Sequence, residues 1–256
     1  MAIHYTPGSS KAAPFTRQVL NQVRYELLLT LRRGENIIVT LIVPVLLLIF
    51  FASLNIIPAT NGSAVNFLLP GILALAIIAA GMVNLGIATS YERYYGVLKR
   101  LGSSPLSRGG LIIAKVISIL ILEVIQVLLL VGVAILLYKW QPSGSTLLAL
   151  AVIALGTVTF AALGLAMAGA LRAELTLAGA NALFLLFLLI GDGILPLSHL
   201  PAPLADLAQI LPAAALTDAL RAAMTNGAAF PTSPLIVLAI WAIVILTIAI
   251  RTFKWE

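Results

Sequence analysis

The chain contains no cysteine, which excludes a disulfide framework, a thiolate metal site and a cysteine nucleophile. Charge is almost as scarce. Asp, Glu, Lys and Arg make up 9% of the residues, against roughly 25% in an ordinary soluble domain. Only two histidines occur, His4 and His199, in polar segments expected to face opposite sides of a membrane, which removes most histidine-based metal or triad chemistry. No G-x-x-x-x-G-K-[ST] sequence is present, so no phosphate-cradling loop is expected, and no polar segment is long enough for a nucleotidase domain. A G-x-S-x-G elbow is missing too. The first apolar run follows a basic, amphipathic segment with no small-residue cleavage site, so no signal peptide is expected.

What is left is hydrophobe. Apolar residues are 61% of the chain and the mean hydropathy is +1.12, the composition of a polytopic membrane protein. A net charge of +6 invites a nucleic-acid reading, but on a membrane protein the distribution of charge means more than its total, and no nucleic-acid partner is expected.

A helix that crosses the hydrocarbon core needs about 20 apolar residues. Six segments meet this, at about 36–57, 66–90, 110–139, 146–170, 175–195 and 233–251. Lys11, Arg17, Arg24, Arg32, Arg33, Arg93, Lys99, Arg100, Arg108, Lys115, Arg172, Arg251 and Lys254 fall on one side of this arrangement, and only Lys139 and Arg221 on the other. By the positive-inside rule both termini are cytoplasmic. Lys115, near the cytoplasmic end of its span, is expected to snorkel towards water.

Ahead of the first span, Phe15, Val19, Leu20, Val23, Leu27, Leu28 and Leu31 recur at helical spacing, with Arg17, Asn21 and Arg24 on another face. The pattern predicts an interfacial helix over 14–33 with its basic side towards lipid phosphates, ended at Gly34. Between the fifth and sixth spans, Pro201, Pro203 and Pro212 open two amphipathic stretches too short to cross, which predicts re-entrant helices within 197–230. The fold class is therefore an all-α integral membrane protein. It comprises six transmembrane helices, an N-terminal amphipathic interfacial helix and short re-entrant helices before the last span, in one domain over 1–256.

Between the second and third spans the apolar pattern breaks into Tyr91-Glu92-Arg93-Tyr94-Tyr95-Gly96-Val97-Leu98-Lys99-Arg100-Leu101 and then Ser104-Pro105-Leu106-Ser107-Arg108. This must be an aqueous loop, and positive-inside topology alone does not require Glu92. With the basic entry helix, Phe67-Leu68-Leu69-Pro70-Gly71-Ile72 at the opening of the second span and the proline-punctuated segment before the last, these features resemble the permease subunit of type-2 ATP-binding-cassette exporters.

The resemblance covers nearly the whole chain. It implies a transport subunit that is not itself an enzyme, in the plasma (inner) membrane of a bacterium, paired with a second permease copy as a homodimer. Two nucleotide-binding subunits would carry the ATP and Mg, so no cofactor is expected on this chain. Glu92, Arg93 and Gly96 match the family's loop signature, and Ser104, Pro105 and Arg108 its exit. The coupling contact over 91–108 would be made by Glu92, Arg93, Tyr94, Gly96, Leu98 and Leu101. The implied cargo is an amphiphilic drug or lipid, with polysaccharide or lipid-linked glycan export as the alternative.

Glu123 lies near mid-depth of the third span, where a charge must face protein or water. With Gln126 one turn on and Asn181 in the fifth span, it forms the candidate substrate path. Two other readings stand beside that one: a hydrogen-bonded glutamate that holds two spans together, and asparagines bonded between helices. Asp192, between Gly191 and Gly193, reads as an exit residue or as a turn carboxylate. An ion-coupled carrier would normally show interrupted helices and several mid-membrane charges, and an intramembrane hydrolase needs a nucleophile and base at matching depth. Glu123 stands nearly alone and no repeat is evident, so an ion-coupled carrier is the alternative from a different class, and neither histidine lies inside a span to serve a hydrolase.

Overall fold

The structure, a computed structural model, describes residues 13–32, 34–54 and 64–252. His4, Lys11, Arg33 and Lys254 lie outside the described residues.

The apolar periodicity folds as expected, into helices throughout the described residues. Helix α1 (Phe15–Arg32) is the amphipathic entry helix, and α2 (Gly34–Ser53) is the first span. The second span is one continuous helix from Ala64 to Tyr94. It is built of α3 (Ala64–Ile78), a π-helical segment over Ala79–Asn84, and α4 (Leu85–Tyr94). The short helix α5 (Val97–Gly102) sits in the connecting loop, and α6 (Arg108–Tyr138) and α7 (Thr146–Ala170) are the third and fourth spans. Helix α8 (Ala173–Ile190) is the fifth, α9 (Ala202–Ile210) and α10 (Pro212–Met224) follow it, and α11 (Thr232–Thr252) is the last. Five of these helices are long and apolar enough to cross a membrane, and α2 adds a shorter described apolar run, Thr40–Ser53.

The second span forms the axis of the bundle, with α7 against its middle. Gly164 of α7 makes this approach possible: a Cβ there would stand 2.6 Å from the Gly81 carbonyl oxygen and 2.7 Å from that of Met82, so only glycine lets the two backbones meet. Helices α10 and α11 close the other side of α7. The two short helices expected in the proline-rich segment are present, and Pro203 and Pro212 stand in the first turns of α9 and α10, where a missing N–H costs nothing. The fifth span ends earlier than the sequence predicts, at Ile190 rather than near 195. The chain turns at Gly191-Asp192-Gly193, with Asp192 in the left-handed region at φ 57°.

Helix α1 does not lie on lipid alone. Val19 and Val23 bury against Ala114 of α6, while Leu20 and Leu31 face outward with Arg17 and Arg24. One end of the bundle thus gathers α1, the 95–107 loop and the 171–172 turn, and is rich in Lys and Arg; we call it the basic end. The opposite, far end carries Lys139, the turn after α8, and Arg221.

Candidate functional site

The loop at the basic end is rigid by construction. Helix α4 stops at Tyr94, and Gly96 takes φ +72° to start α5. No atom lies within 4 Å of a Cβ built at Gly96. Its constraint is therefore the left-handed backbone, not close packing. Leu98 is buried in the cluster that holds Leu106, Leu111 and Ile112, with Leu101 packed beside it. Ser107 then caps α6, its hydroxyl accepting from the Gly110 N–H at 3.1 Å. On the outer surface Tyr94 and Tyr95 are 65% and 69% exposed. Tyr95 stacks on Tyr91 at a centroid distance of 6.1 Å and Tyr94 packs edge-on against Tyr95 at 5.1 Å, so the three rings form one platform beside exposed Lys99 and Arg100.

Glu92 and Arg93 face inward, in different directions. The Arg93 guanidinium donates to the carbonyl of Gly169 at 2.7 Å and to that of Leu171. These oxygens lie at the C-terminal end of α7, where the helix leaves carbonyls unpaired and a cation is favoured. Arg93 thereby ties the loop to the turn between the fourth and fifth spans. Glu92 Oε2 accepts from Lys115 Nζ at 2.8 Å, and the same ammonium stands 3.0 Å from Glu26 Oε1. Gln22 Nε2 completes the group by donating to Glu26 at 2.9 Å.

This arrangement corrects the snorkelling expected of Lys115, which is 1% exposed. Taking an ammonium out of water costs several kcal/mol, which two converging carboxylates and their hydrogen bonds offset. Lys115 instead joins α1, α4 and α6 at one point. A cavity of about 70 Å³ opens beside it, lined by polar side chains that include Glu26, Glu92, Ser118, Asn84 and Gln126. That is room for more than one water.

Deeper in the membrane, Pro44 inside α2 removes the N–H that would bond the Thr40 carbonyl. Gln126 of α6 supplies the missing donor, its Nε2 lying 2.6 Å from that oxygen. Asn84 of the π-helical segment donates to the Thr40 hydroxyl at 3.1 Å, so the first three spans meet at Thr40. Glu123 is 1% exposed and bonds to the Thr157 hydroxyl of α7, while its Oε1 is buried without a hydrogen-bond partner. Asn181 is exposed on α8 and donates to Leu177 of its own helix at 2.8 Å. Glu123, Gln126 and Asn181 therefore occupy three separate surroundings, and the structure does not bring them together along one path.

At the far end, Arg221 donates to the Asp192 carboxylate, to the Asp192 carbonyl at 2.7 Å and to Asp218 at 3.2 Å, and lies 4.2 Å over the Phe67 ring. Asp192 also accepts from the Leu197 N–H at 2.8 Å, which makes it the turn carboxylate of the two sequence readings. Burial, and then the Asp192 charge, push the Asp218 carboxyl up to about 6, with Arg221 opposing them. Among the described residues, no group of three or more His, Cys, Asp or Glu could hold a metal ion.

A family model described as ABC-2 type transporter matches residues 17–225, from the first turn of the entry helix to just past α10. No curated protein matches the chain.

Proposed function

Because the chain belongs to the ABC-2 type transporter family, we propose that it is the permease of an ATP-driven exporter, moved by a separate nucleotidase that grips the tyrosine platform at the basic end. The single observation that carries this reading is the opposed anchoring of two sequence neighbours: Glu92 holds Lys115, and Arg93 holds the end of α7. A push on α5 would then reach α6 and α1 through Glu92, and α7 and α8 through Arg93. Tyr94 and Tyr95 are the apolar contacts for the partner, Leu98 and Leu101 seat the loop on the bundle, and Gly96 sets the bend.

In this reading the basic end is cytoplasmic, in agreement with the positive-inside distribution, and the nucleotidase carries ATP and Mg. A second copy of the chain completes the transporter as a homodimer in a bacterial inner membrane. The cargo is amphiphilic, a drug or a lipid. The wording of the loop signature supports that class over glycans.

Co-expression with a candidate nucleotidase subunit tests the proposal. Stable co-purification and ATP-dependent movement of a fluorescent amphiphile in proteoliposomes are expected. Movement driven by an ion gradient, with no nucleotidase bound, would replace the exporter with a secondary carrier.

A further inference from the structure

Near the far ends of α6 and α7 the two spans part around a crevice of about 380 Å³. Its walls are almost entirely carbon: Leu73 of α3, Val127 and Val131 of α6, and Ala149 and Ile153 of α7, with Trp140 lining it as well. Leu128 and Leu150 also line it and are 67% and 50% exposed, so the crevice opens sideways, at a depth where the surroundings are hydrocarbon. The 143–145 segment that borders the crevice is pinned to α10 by Ser145 N–H donating to the Ala223 carbonyl at 2.8 Å and Ser143 Oγ to that of Met224 at 3.3 Å. An apolar recess this size beside lipid is filled at no cost by a lipid tail, whereas water would be poorly hydrogen-bonded in it.

The rim selects the headgroup. Lys139 follows the last residue of α6 in a left-handed conformation at φ 53° and is exposed beside Trp140. Ser145 and Thr146 add hydroxyls, and no acidic residue lines the crevice among those described. A cation and neutral donors at the level of the headgroups complement a phosphate, and an indole at that level is the usual interfacial anchor.

We propose that the crevice between α6 and α7 is a lipid site that takes one acyl chain of an anionic phospholipid, with the headgroup phosphate held at Lys139. The inference stands apart from the cargo and the energy source. It needs only that α6 and α7 span a bilayer.

Trp140 is a built-in reporter, since the chain has three tryptophans and Trp241→Phe with Trp255→Phe leaves it alone. This full-length variant would be reconstituted with increasing fractions of phosphatidylglycerol or phosphatidylcholine carrying bromine on the acyl chains, which quenches indole fluorescence on contact. Quenching that saturates at a several-fold lower fraction of the glycerol lipid is expected. Lys139→Gln should abolish that preference, and Ala149→Phe should abolish most of the quenching by filling the crevice. Ala149→Leu does the same with less bulk should the larger residue prevent folding. Because Trp241 also bonds the Ile210 carbonyl at 2.9 Å, the same fillings in the protein with all three tryptophans provide a second reading. Superimposable curves with and without the filling residue, equal curves for the two lipids, or preferential quenching by a brominated cargo or by a second copy bearing a quencher would overturn the proposal.

Discussion

The Gln126 side-chain amide lies 2.6 Å from the Thr40 carbonyl oxygen, the one oxygen that Pro44 deprives of its helical donor. A proline in one span is thus answered by a glutamine in another. Gln126→Leu should destabilise the protein by about 1–3 kcal/mol, the cost of a buried acceptor left unmet. Pro44→Ala restores an N–H within α2, and in that background the same substitution should cost much less. Thermal unfolding in detergent measures both, and an equal loss in the two backgrounds would show that the glutamine serves something other than this carbonyl.

Gly96 is required for its backbone and not for lack of room. At φ +72° a branched side chain costs about 1–2 kcal/mol, while asparagine adopts this region readily. Gly96→Asn should keep transport near the parent level and Gly96→Val should lower it several-fold with expression intact. If both behave alike, the glycine is needed for contact with another molecule and this account of it is wrong.

Glu123 is enclosed between α6 and α7 with Thr157, which favours a role in holding the two spans together. Glu123→Leu should lower the melting temperature and reduce transport of cationic and neutral amphiphiles by the same factor. A loss confined to cationic cargo would return Glu123 to the substrate path.

The outer architecture could be read from the sequence, because hydropathy, basic-residue asymmetry and prolines report local physics. Among the described residues, the entry helix, the spans and the two short helices before the last span fall within a few residues of expectation, apart from the early stop of α8. What could not be read were pairings between distant positions. Pro44 announces a free carbonyl at Thr40, but nothing along the chain says that Gln126 answers it. Lys115 departs from expectation because a lone basic residue near a span end ordinarily snorkels. A signal was present, since Glu26 shares the apolar face of α1 with Val19 and Val23 and a carboxylate there calls for a buried cation. Glu92 and Arg93 stand out in the sequence as part of one loop signature, while their inward direction is settled only by the fold.

Asp218 makes the far end sensitive to pH. Its carboxyl titrates near 6 in the folded protein and near 3.9 when unfolded. The folded state therefore holds the proton more tightly, and the stability this group confers is complete below about pH 4 and lost as pH rises through 6. Asp218→Asn should raise the melting temperature at pH 7.5 and lose that advantage by pH 3.5. A difference independent of pH, followed by calorimetry across this range, would show that Asp218 does not titrate there.

The central claim is that force on the loop reaches the spans through the Lys115 cluster. Removing one member alone leaves a buried charge unpaired and costs about 3–5 kcal/mol, so the informative variant is neutral throughout: Lys115→Met with Glu26→Gln and Glu92→Gln. Reconstituted with its nucleotidase, this variant and the parent protein would be compared for amphiphile moved per ATP hydrolysed. The account predicts that the partner still binds and hydrolyses ATP while the ratio falls at least tenfold. A folded variant with the parent ratio would contradict it.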